Sequence, residues 1–349
     1  MILKRPRTKR QRSVARKHAP KSVPTLIAPI TNNHRLPRLI SVERRGGLLR
    51  PSPLSELVDS EVCSLNLMTG CPLQSPLCYA RVYPNYPGDD VVYWYEGTAE
   101  RLHHELSQRS RMPHAVHVCP STDPFPPYLA VQQEVGRVLE VLAEFKVGAW
   151  FQTRGYIRPF LVETLAKHRT RVRVTFAVNT TDNRLRRVLE PLAAPTAQRL
   201  RQLRYLRDCG VATQVSIEPL IPLLTDTRGN LEPLLDQLAD AGVVHISAAY
   251  LFLRRGMDEI LESELGPLGF GDALRDAYCH GPVLAMGGIA PARHLPRGYR
   301  ERGYALLASL ASRRGITTSV CGLTNPDFKA PRTQPALRKA PVDRQLELL

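Results

Sequence analysis

Short apolar runs alternate with amphipathic stretches through the middle of the chain. Each run is continuously apolar, which is typical of a strand buried on both faces of a parallel sheet. The stretches between the runs carry apolar residues at helical spacing, as at Val131, Val135 and Val138. Gly210 and Gly242 come just before two of the runs, where helix C-caps belong. The predicted strands are CSLNL, HAVHVC, VGAWFQT, VRVTFAV, TQVSIEPLI and VVHISAAYLFL.

Six strand-then-helix units in succession predict an α/β fold, with a parallel sheet and helices outside it. Six units are too few for a complete eightfold barrel and suit a partial (β/α)6 TIM-type barrel. Beyond it we expect helices around 258–265 and 300–312 and a short strand near 317–321. The predicted domains are a disordered basic N-terminal arm and linker (1–50), the barrel core (51–255), a short α+β C-terminal extension that completes the barrel side (256–330) and a tail (331–349).

Polar residues follow the predicted strands, where the ligand of such a barrel is expected. Taken singly, Asp123, Thr181 and Asp182 are better explained as helix N-caps than as ligands. The coincidence across five strand ends favours a binding site instead. The residues at these ends include Thr122, Asp123, Arg154, Asn179, Thr180 and the pair Glu218–Pro219.

The loop after the first strand contains two cysteines. Cys71 and Cys78 lie seven positions apart, and Ser75 occupies the place where a third thiolate would complete a CxxxCxxC pattern. Thiolates at such spacing are typical iron–sulfur ligands. Zinc is a poorer alternative, because no nearby His or Cys completes a tetrahedral set.

The charge of the chain is strongly unbalanced. Of 349 residues 43% are hydrophobic, and the net charge is +16. Nine Lys or Arg residues occur by Lys21, and no acidic residue precedes Glu43. Such a block repels itself and is predicted to be disordered. It is either an arm that neutralises nucleic-acid phosphates or a solvated tail with no fixed partner.

The cysteine count and the apolar runs predict a cytoplasmic protein. The seven scattered cysteines do not suggest a disulfide scaffold and fit a reducing compartment. The basic arm has no apolar core of a signal peptide. No apolar run approaches the ~20 residues that cross a bilayer, so no membrane association is expected.

Several segments, in order, resemble the radical S-adenosylmethionine (radical SAM) superfamily, and in it the spore photoproduct lyase-like branch. The opening LNLMTGCPLQSPLCYAR is similar to the branch pattern LNLxxGCxHxCxYCYAR. STDPFPP and FQTRGYIRP continue the resemblance at the second and third strand ends. The long segment that begins VTFAVNTTDN extends it, so that the resemblance covers roughly Cys63 to Arg254.

The resemblance implies a [4Fe–4S] cluster, S-adenosylmethionine and an external electron donor. In this superfamily three thiolates hold the cluster, and its reduced form cleaves the sulfonium to a deoxyadenosyl radical. Cys71, Ser75 and Cys78 would stand at the three iron-ligand positions. The cofactor-binding positions would be Leu77, Thr122, Asp123, Arg154, Asn179, Thr180 and Arg199, with Arg154 where the branch usually has Lys. For Arg199, a structural ion pair with Glu190 is the alternative to a contact with the cofactor.

Cys119 lies close to the place where photoproduct lyases carry a cysteine that returns a hydrogen atom to the substrate. The resemblance therefore makes it a candidate catalytic residue. A free cysteine in an apolar strand is more often a small buried hydrophobe, and the register differs by one or two residues.

Two positions depart from the branch pattern: Leu73 replaces a histidine and Ser75 replaces the second cysteine. A serine oxygen is a harder and less acidic ligand than a thiol, so iron binding is expected to weaken. Three outcomes are open. Ser75 ligates through oxygen, Cys63 substitutes for it, or the cluster is lost.

The first hypothesis is a radical SAM enzyme of the lyase-like type, with nucleic acid as its substrate in repair or modification. This link to DNA repair rests on the branch and on the basic charge. The alternative is a catalytically degenerate barrel that binds nucleic acid. The tyrosines that follow the loop, interleaved with Arg81, would stack on bases or pack the open side of the barrel.

Overall fold

The computed structural model describes residues 35–58, 60–266, 269–286 and 289–328, with the backbone alone at Leu57 and Ile289. Its strands are β1 (Arg38–Ser41), β2 (Arg50–Pro51), β3 (Val62–Leu65), β4 (Met68–Thr69), β5 (Val91–Trp94), β6 (Ala115–Val118), β7 (Gly148–Thr153), β8 (Val172–Val178), β9 (Ala212–Leu220), β10 (His245–Tyr250), β11 (Val283–Met286), β12 (Ile289–Arg293) and β13 (Thr317–Val320). Its α-helices are α1 (Ser55–Val58), α2 (Thr98–Ser107), α3 (Leu129–Glu144), α4 (Pro159–Lys167), α5 (Asn183–Leu189), α6 (Thr196–Asp208), α7 (Arg228–Asp240), α8 (Met257–Leu265), α9 (Gly271–Tyr278) and α10 (Arg297–Ser312), and Tyr79–Val82 is a 3₁₀ turn.

An eight-stranded sheet forms the centre, in the order β13–β10–β9–β8–β7–β6–β3–β2. The six predicted strands lie side by side in chain order as β3 and β6 to β10, all parallel. β13 adds a parallel strand next to β10, and β2 pairs antiparallel with β3. Among the described residues no pairing joins β13 to β2. The predicted α/β partial barrel is confirmed.

The two faces of this sheet differ in polarity. On one face, side chains such as Val116, Phe151 and Phe176 are buried in the core that also contains the apolar sides of the helices. On the other face, neighbouring strands carry polar side chains in register, among them Gln152 and Thr175. Because side chains alternate along a strand, the packing of the helices on one face leaves the polar face for the inside of the partial barrel.

Residues 35–50, assigned from the sequence to the tail and linker, contain β1 and the start of β2. β1 pairs parallel with β5, and β5 pairs antiparallel with β4, in a separate three-stranded sheet. The segment therefore lies against the loop that carries the cysteines. Residues 1–34, the predicted arm, lie outside the described residues.

The region after β10 contains the expected helices α8 and α10 and the expected strand β13. The guanidinium of Arg300, on α10, is fully buried and donates to Asn325 Oδ1 at 2.9 Å and to both oxygens of Asp327. This arginine ties the segment after β13 to the helix. None of the helices in the described part of the chain has the length and apolar character that a membrane crossing requires.

Candidate active site

The cysteine loop leaves the carboxyl end of β3 and turns back through β4. Gly70 adopts φ +114°, and a Cβ at this position would lie 3.0 Å from the Val91 carbonyl oxygen. Only glycine fits there without strain. The turn directs Cys71 inward, where it is 6% exposed, and the chain returns to Cys78 at the start of the 3₁₀ turn.

The Cys71 and Cys78 thiols contact each other. Their hydrogen bond raises the pKa of Cys71, with burial adding to the rise. The same bond lowers the pKa of Cys78, and Arg154 and Arg81 lower it further. The two sulfurs thus lie together beyond the end of β3, and of the two Cys78 gives up its proton more readily. Among the described residues no group of three His, Cys, Asp or Glu side chains is placed to hold a metal ion.

Ser75 lies in the same loop, and its backbone N–H donates to the Cys71 sulfur. Its hydroxyl points to a different segment and donates to the Leu189 carbonyl oxygen at 2.9 Å. The oxygen keeps lone pairs in this arrangement. Cys63 does not join the pair, because its sulfur lies near Glu61 and Arg109 toward the other end of β3.

The Asp123 carboxylate connects the end of β6 to the end of β7 through hydrogen bonds. Its Oδ1 accepts from the Phe125 N–H and the Thr153 hydroxyl, both at 2.8 Å, and its Oδ2 accepts from the Arg154 N–H at 2.7 Å. Burial raises the pKa of this carboxyl, and these donors oppose the rise. Gly155 allows the approach, since a Cβ there would lie 2.0 Å from the Phe125 carbonyl oxygen.

Arg154 follows the end of β7, and its guanidinium group is fixed by two hydrogen bonds. Its Nε donates to Glu190 Oε1 at 2.9 Å, and its Nη2 donates to the Glu218 carbonyl oxygen at 2.8 Å. Its side chain is 27% exposed. Arg199 binds the other oxygen of Glu190 and is fully buried, with further bonds to two backbone carbonyls. Arg199 thus touches the site through Glu190.

The end of β8 contributes a buried side-chain oxygen, that of Asn179, which accepts no hydrogen bond in the described part of the chain. Asn179 is 2% exposed, and its Oδ1 has no hydrogen-bond partner in the described part of the chain. An unsatisfied buried amide oxygen costs free energy unless a ligand or water supplies a donor. The neighbouring Thr180 hydroxyl accepts from the Asp182 N–H at 3.0 Å. Asp182 is the N-cap of α5, as its position suggests.

Three further predicted residues surround these strand ends. Leu77 is 6% exposed and belongs to the main apolar core. The Thr122 hydroxyl lies beside the Cys119 thiol at the second strand end. Cys119 is 1% exposed, and burial raises its pKa to about 12, so the thiol is protonated at neutral pH.

Two features of the site were missed from the sequence. Gln152 donates to the Glu218 carboxylate across the polar face of the sheet. Arg254 follows the sixth strand, and its guanidinium lies 4.7 Å from the Tyr79 ring centroid and 5.0 Å from that of Tyr83. The position of Arg254 after a predicted strand was the available signal. The stacking on Tyr79 and Tyr83 had none, because it joins segments far apart in the chain.

The chain is similar to curated proteins from bacteria and viruses. It is 29% identical over 259 residues to an uncharacterized protein of Mycobacterium tuberculosis, covering 68% of this chain and 70% of the relative. It is 24% identical over 286 residues to a protein of Pseudomonas phage M6 named a radical SAM Nα-GlyT isomerase, covering 80% of this chain and 56% of that protein. No family model matches the chain.

Solved structures share the fold at low sequence identity. A cysteine-to-serine variant of spore photoproduct lyase superposes with a TM-score of 0.61 at 13% identity, over 81% of this chain and 82% of the lyase. A second variant, with bound AdoMet (S-adenosylmethionine) and dinucleoside spore photoproduct, gives 0.59 at 14% identity, over 80% and 81%. SuiB of Streptococcus suis, bound to S-adenosylmethionine, gives 0.50 at 12% identity, over 79% and 56%.

Proposed function

Because this chain has the radical SAM fold of the spore photoproduct lyase-like branch, we propose that it binds a [4Fe–4S] cluster and S-adenosylmethionine and acts on a nucleic acid. The observation that carries the proposal is the contact between the Cys71 and Cys78 thiols, with the Arg154 cation close to Cys78. The nucleic-acid substrate is supported by the +16 net charge and by the nucleoside ligand of the similar lyase.

The donor set fits such a cluster through two sulfurs and offers an oxygen at the third position. Cys71 and Cys78 would hold iron as thiolates, and Ser75 would contribute its hydroxyl oxygen. A reduced cluster in this superfamily supplies one electron that cleaves S-adenosylmethionine to a deoxyadenosyl radical, which abstracts a hydrogen atom from the substrate. An external donor would supply that electron to the cluster.

The other residues would bind and orient the cofactor. Arg154 is a cation suited to the methionine carboxylate, and Glu190 and the Glu218 carbonyl fix its direction. Asn179 Oδ1, which lacks a donor, would accept a hydrogen bond from the amino group or a ribose hydroxyl.

The remaining predicted positions would shape the pocket. Asp123 holds two strand ends together, Thr122 and Thr180 border them, and Leu77 offers an apolar contact for adenine. We assign Arg199 to positioning Glu190. If Cys119 returns a hydrogen atom to the substrate, it would do so from its buried, neutral S–H group.

Ser75 favours a second candidate function. Its hydroxyl already has an acceptor in Leu189, so the loop closes without a third iron ligand. A chain that never assembles a cluster would then be a nucleic-acid-binding protein on a degenerate barrel. The two candidates differ in whether iron and sulfide bind at all.

Anaerobic reconstitution with iron and sulfide tests the proposal. We expect bound iron and sulfide, a cluster signal in electron paramagnetic resonance after reduction, and release of 5′-deoxyadenosine from S-adenosylmethionine with dithionite. Cys71→Ala and Cys78→Ala should each lose the cluster, whereas Cys279→Ala, which changes an exposed cysteine, should keep it. Absence of iron in the parent protein, or a full cluster in either loop variant, would overturn the assignment.

A further inference from the structure

A groove of about 490 Å³ opens beside the cysteine loop. One wall is the segment from Glu43 to Arg50, which precedes the barrel. The other walls include Gly70, at the start of the cysteine loop, and Thr122, at the second strand end. The groove therefore meets the same strand ends as the proposed cofactor site, while its outer wall comes from a different part of the chain.

Three arginines line this groove: Arg44, Arg45 and Arg50. Arg44 is fixed in place, because it donates to the Asn66 and Leu48 carbonyl oxygens at 2.5 and 3.1 Å and lies 5.1 Å from the Tyr95 ring centroid. Burial lowers the pKa of Arg44; Tyr95 opposes this, and Arg50 and Arg101 add to it.

Arg45 and Arg50 are exposed, and neither forms an ion pair or a side-chain hydrogen bond within the described residues. Glu43 also lines the groove, without an ion pair to either arginine in the same part of the chain. The groove thus contains two uncompensated cations with free donors. Guanidinium groups in this state match phosphate oxygens in charge and in donor geometry.

The lining also includes two tyrosines, and a fourth cation lies behind one of them. Tyr83 and Tyr95 line the groove, and Arg254 stacks on Tyr83 at 5.0 Å. Arg254 is 9% exposed, and its buried Nε has no hydrogen-bond partner among the described residues. A buried N–H group without an acceptor costs free energy that a nearby acceptor, such as a phosphate oxygen, would offset.

We propose that this groove is the phosphate-binding subsite of a polynucleotide substrate. Arg45 and Arg50 bind a backbone phosphate, and Tyr83 and Tyr95 stack against an adjoining base. The assignment of the ligand as the substrate rests on the proposed function at the neighbouring strand ends. The binding step itself needs neither a cluster nor S-adenosylmethionine, so it can be measured separately.

The test compares two ligands and two variants of the full chain. The ligands are a short single-stranded oligodeoxynucleotide with phosphodiester linkages and the same sequence with neutral methylphosphonate linkages. The variants are Arg45→Ala/Arg50→Ala and, as a control, Arg201→Ala/Arg313→Ala. The control removes the same charge from exposed positions on α6 and after α10. Circular dichroism and melting confirm that each variant is folded.

We expect Arg45→Ala/Arg50→Ala to weaken phosphodiester binding about tenfold and to leave methylphosphonate binding unchanged. The slope of log K against log salt should flatten by about 0.7, for the one phosphate that the groove no longer neutralises. Pyrophosphate should displace the phosphodiester from the parent protein. The control variant should show less than half of this decrease in log K.

The subsite is overturned if the groove variant binds the phosphodiester as the parent does, if the affinities for both ligands fall equally, or if the control variant is weakened as much. It is also overturned if the parent protein binds pyrophosphate but no oligonucleotide, or binds neither. Release of 5′-deoxyadenosine is scored separately. Loss of phosphodiester binding in the groove variant of a chain that cleaves no S-adenosylmethionine would keep the subsite and remove the enzyme.

Discussion

At the scale of single residues, Ser75 determines how many strong iron ligands the loop offers. Its main chain holds the loop, through its N–H to the Cys71 sulfur, and its hydroxyl holds α5 through the Leu189 carbonyl. The structural role of the residue and its place in the ligand pattern are therefore separable by substitution. The oxygen is a harder donor than sulfur and a weaker partner for iron.

Ser75→Cys should raise the iron and sulfide content of the reconstituted protein and slow the loss of its colour in air, because a third thiolate replaces an oxygen. Ser75→Ala is the matched control, since it removes the hydroxyl and adds no ligand. If the oxygen binds iron, Ser75→Ala should hold less iron than the parent. Equal iron content in all three proteins would mean that the loop lacks ligand geometry at position 75.

Glu190 is a residue whose charge contributes to the stability of the fold. Burial alone would raise the pKa of its carboxyl, but Arg199 and Arg154 outweigh burial and hold the pKa below the ordinary 4.5. Protonation therefore favours the unfolded chain. The stabilisation is complete above the ordinary pKa and is lost as the pH falls through the lower folded value.

Glu190→Gln should lower the free energy of unfolding by about 3 kcal/mol at pH 7, because it leaves the fully buried Arg199 guanidinium without its anion. The difference from the parent should shrink as the pH falls below 4.5, which urea unfolding at several pH values measures. Glu232→Gln breaks an exposed pair with Arg228 and should cost under about 1 kcal/mol. A pH-independent difference would contradict the charge explanation.

At the scale of elements, the parallel strands and the segment after β13 are stabilised by different interactions. The parallel strands are held by a continuous apolar core, whereas the segment after β13 is tied to α10 by polar contacts centred on the buried guanidinium of Arg300 and by the packing of Phe328. Asp327, its partner, is mostly buried, so the pair is poorly screened by solvent. We therefore expect the loss of Arg300 to affect that segment first.

Arg300→Ala should destabilise the fold by about 3 kcal/mol or more, because it leaves Asp327 without its cation and opens a cavity under α10. Hydrogen exchange should rise in residues 321–328 before it rises in β6 to β9. Arg302→Ala, an exposed change on the same helix, should have little effect. Uniform exchange across the sheet would show that Arg300 stabilises the whole fold and not the segment.

At the scale of the whole molecule, charge is distributed in two parts. Residues 1–34 carry nine Lys or Arg and no acidic residue, and they lie outside the described structure. The described groove adds the cations Arg44, Arg45 and Arg50 beside the site. An arm would increase affinity for any polyanion, whereas the groove would place one phosphate relative to the reacting centre.

Deletion of residues 1–24 should weaken binding of long single strands and flatten its salt dependence by about 0.7 for each phosphate that the arm no longer neutralises. A full-length variant with the nine Lys and Arg residues changed to Gln should behave alike, since charge and not length is the cause. Binding of the short oligonucleotide should change less. An unchanged salt slope in both proteins would identify the arm as a solvated tail.

The sequence by itself determined the order of the elements and the edge at which the polar residues meet. Continuous apolar runs separated by helical periodicity force parallel strands, and parallel strands end at one edge of the sheet. Cys71, Arg154 and Asn179 could therefore be assigned to neighbouring strand ends from local pattern alone.

Only the tertiary structure decided what each of these side chains touches. Ser75 bonds to Leu189, 114 positions away, and the groove joins the segment at Arg45 to a strand end at Thr122. Arg199 proved to be a buried partner of Glu190, a contact across the α5–α6 turn that its helical position alone did not fix. Local periodicity sets which face of an element is apolar, but packing between distant segments sets the distance and direction of each polar contact, because those depend on the whole core.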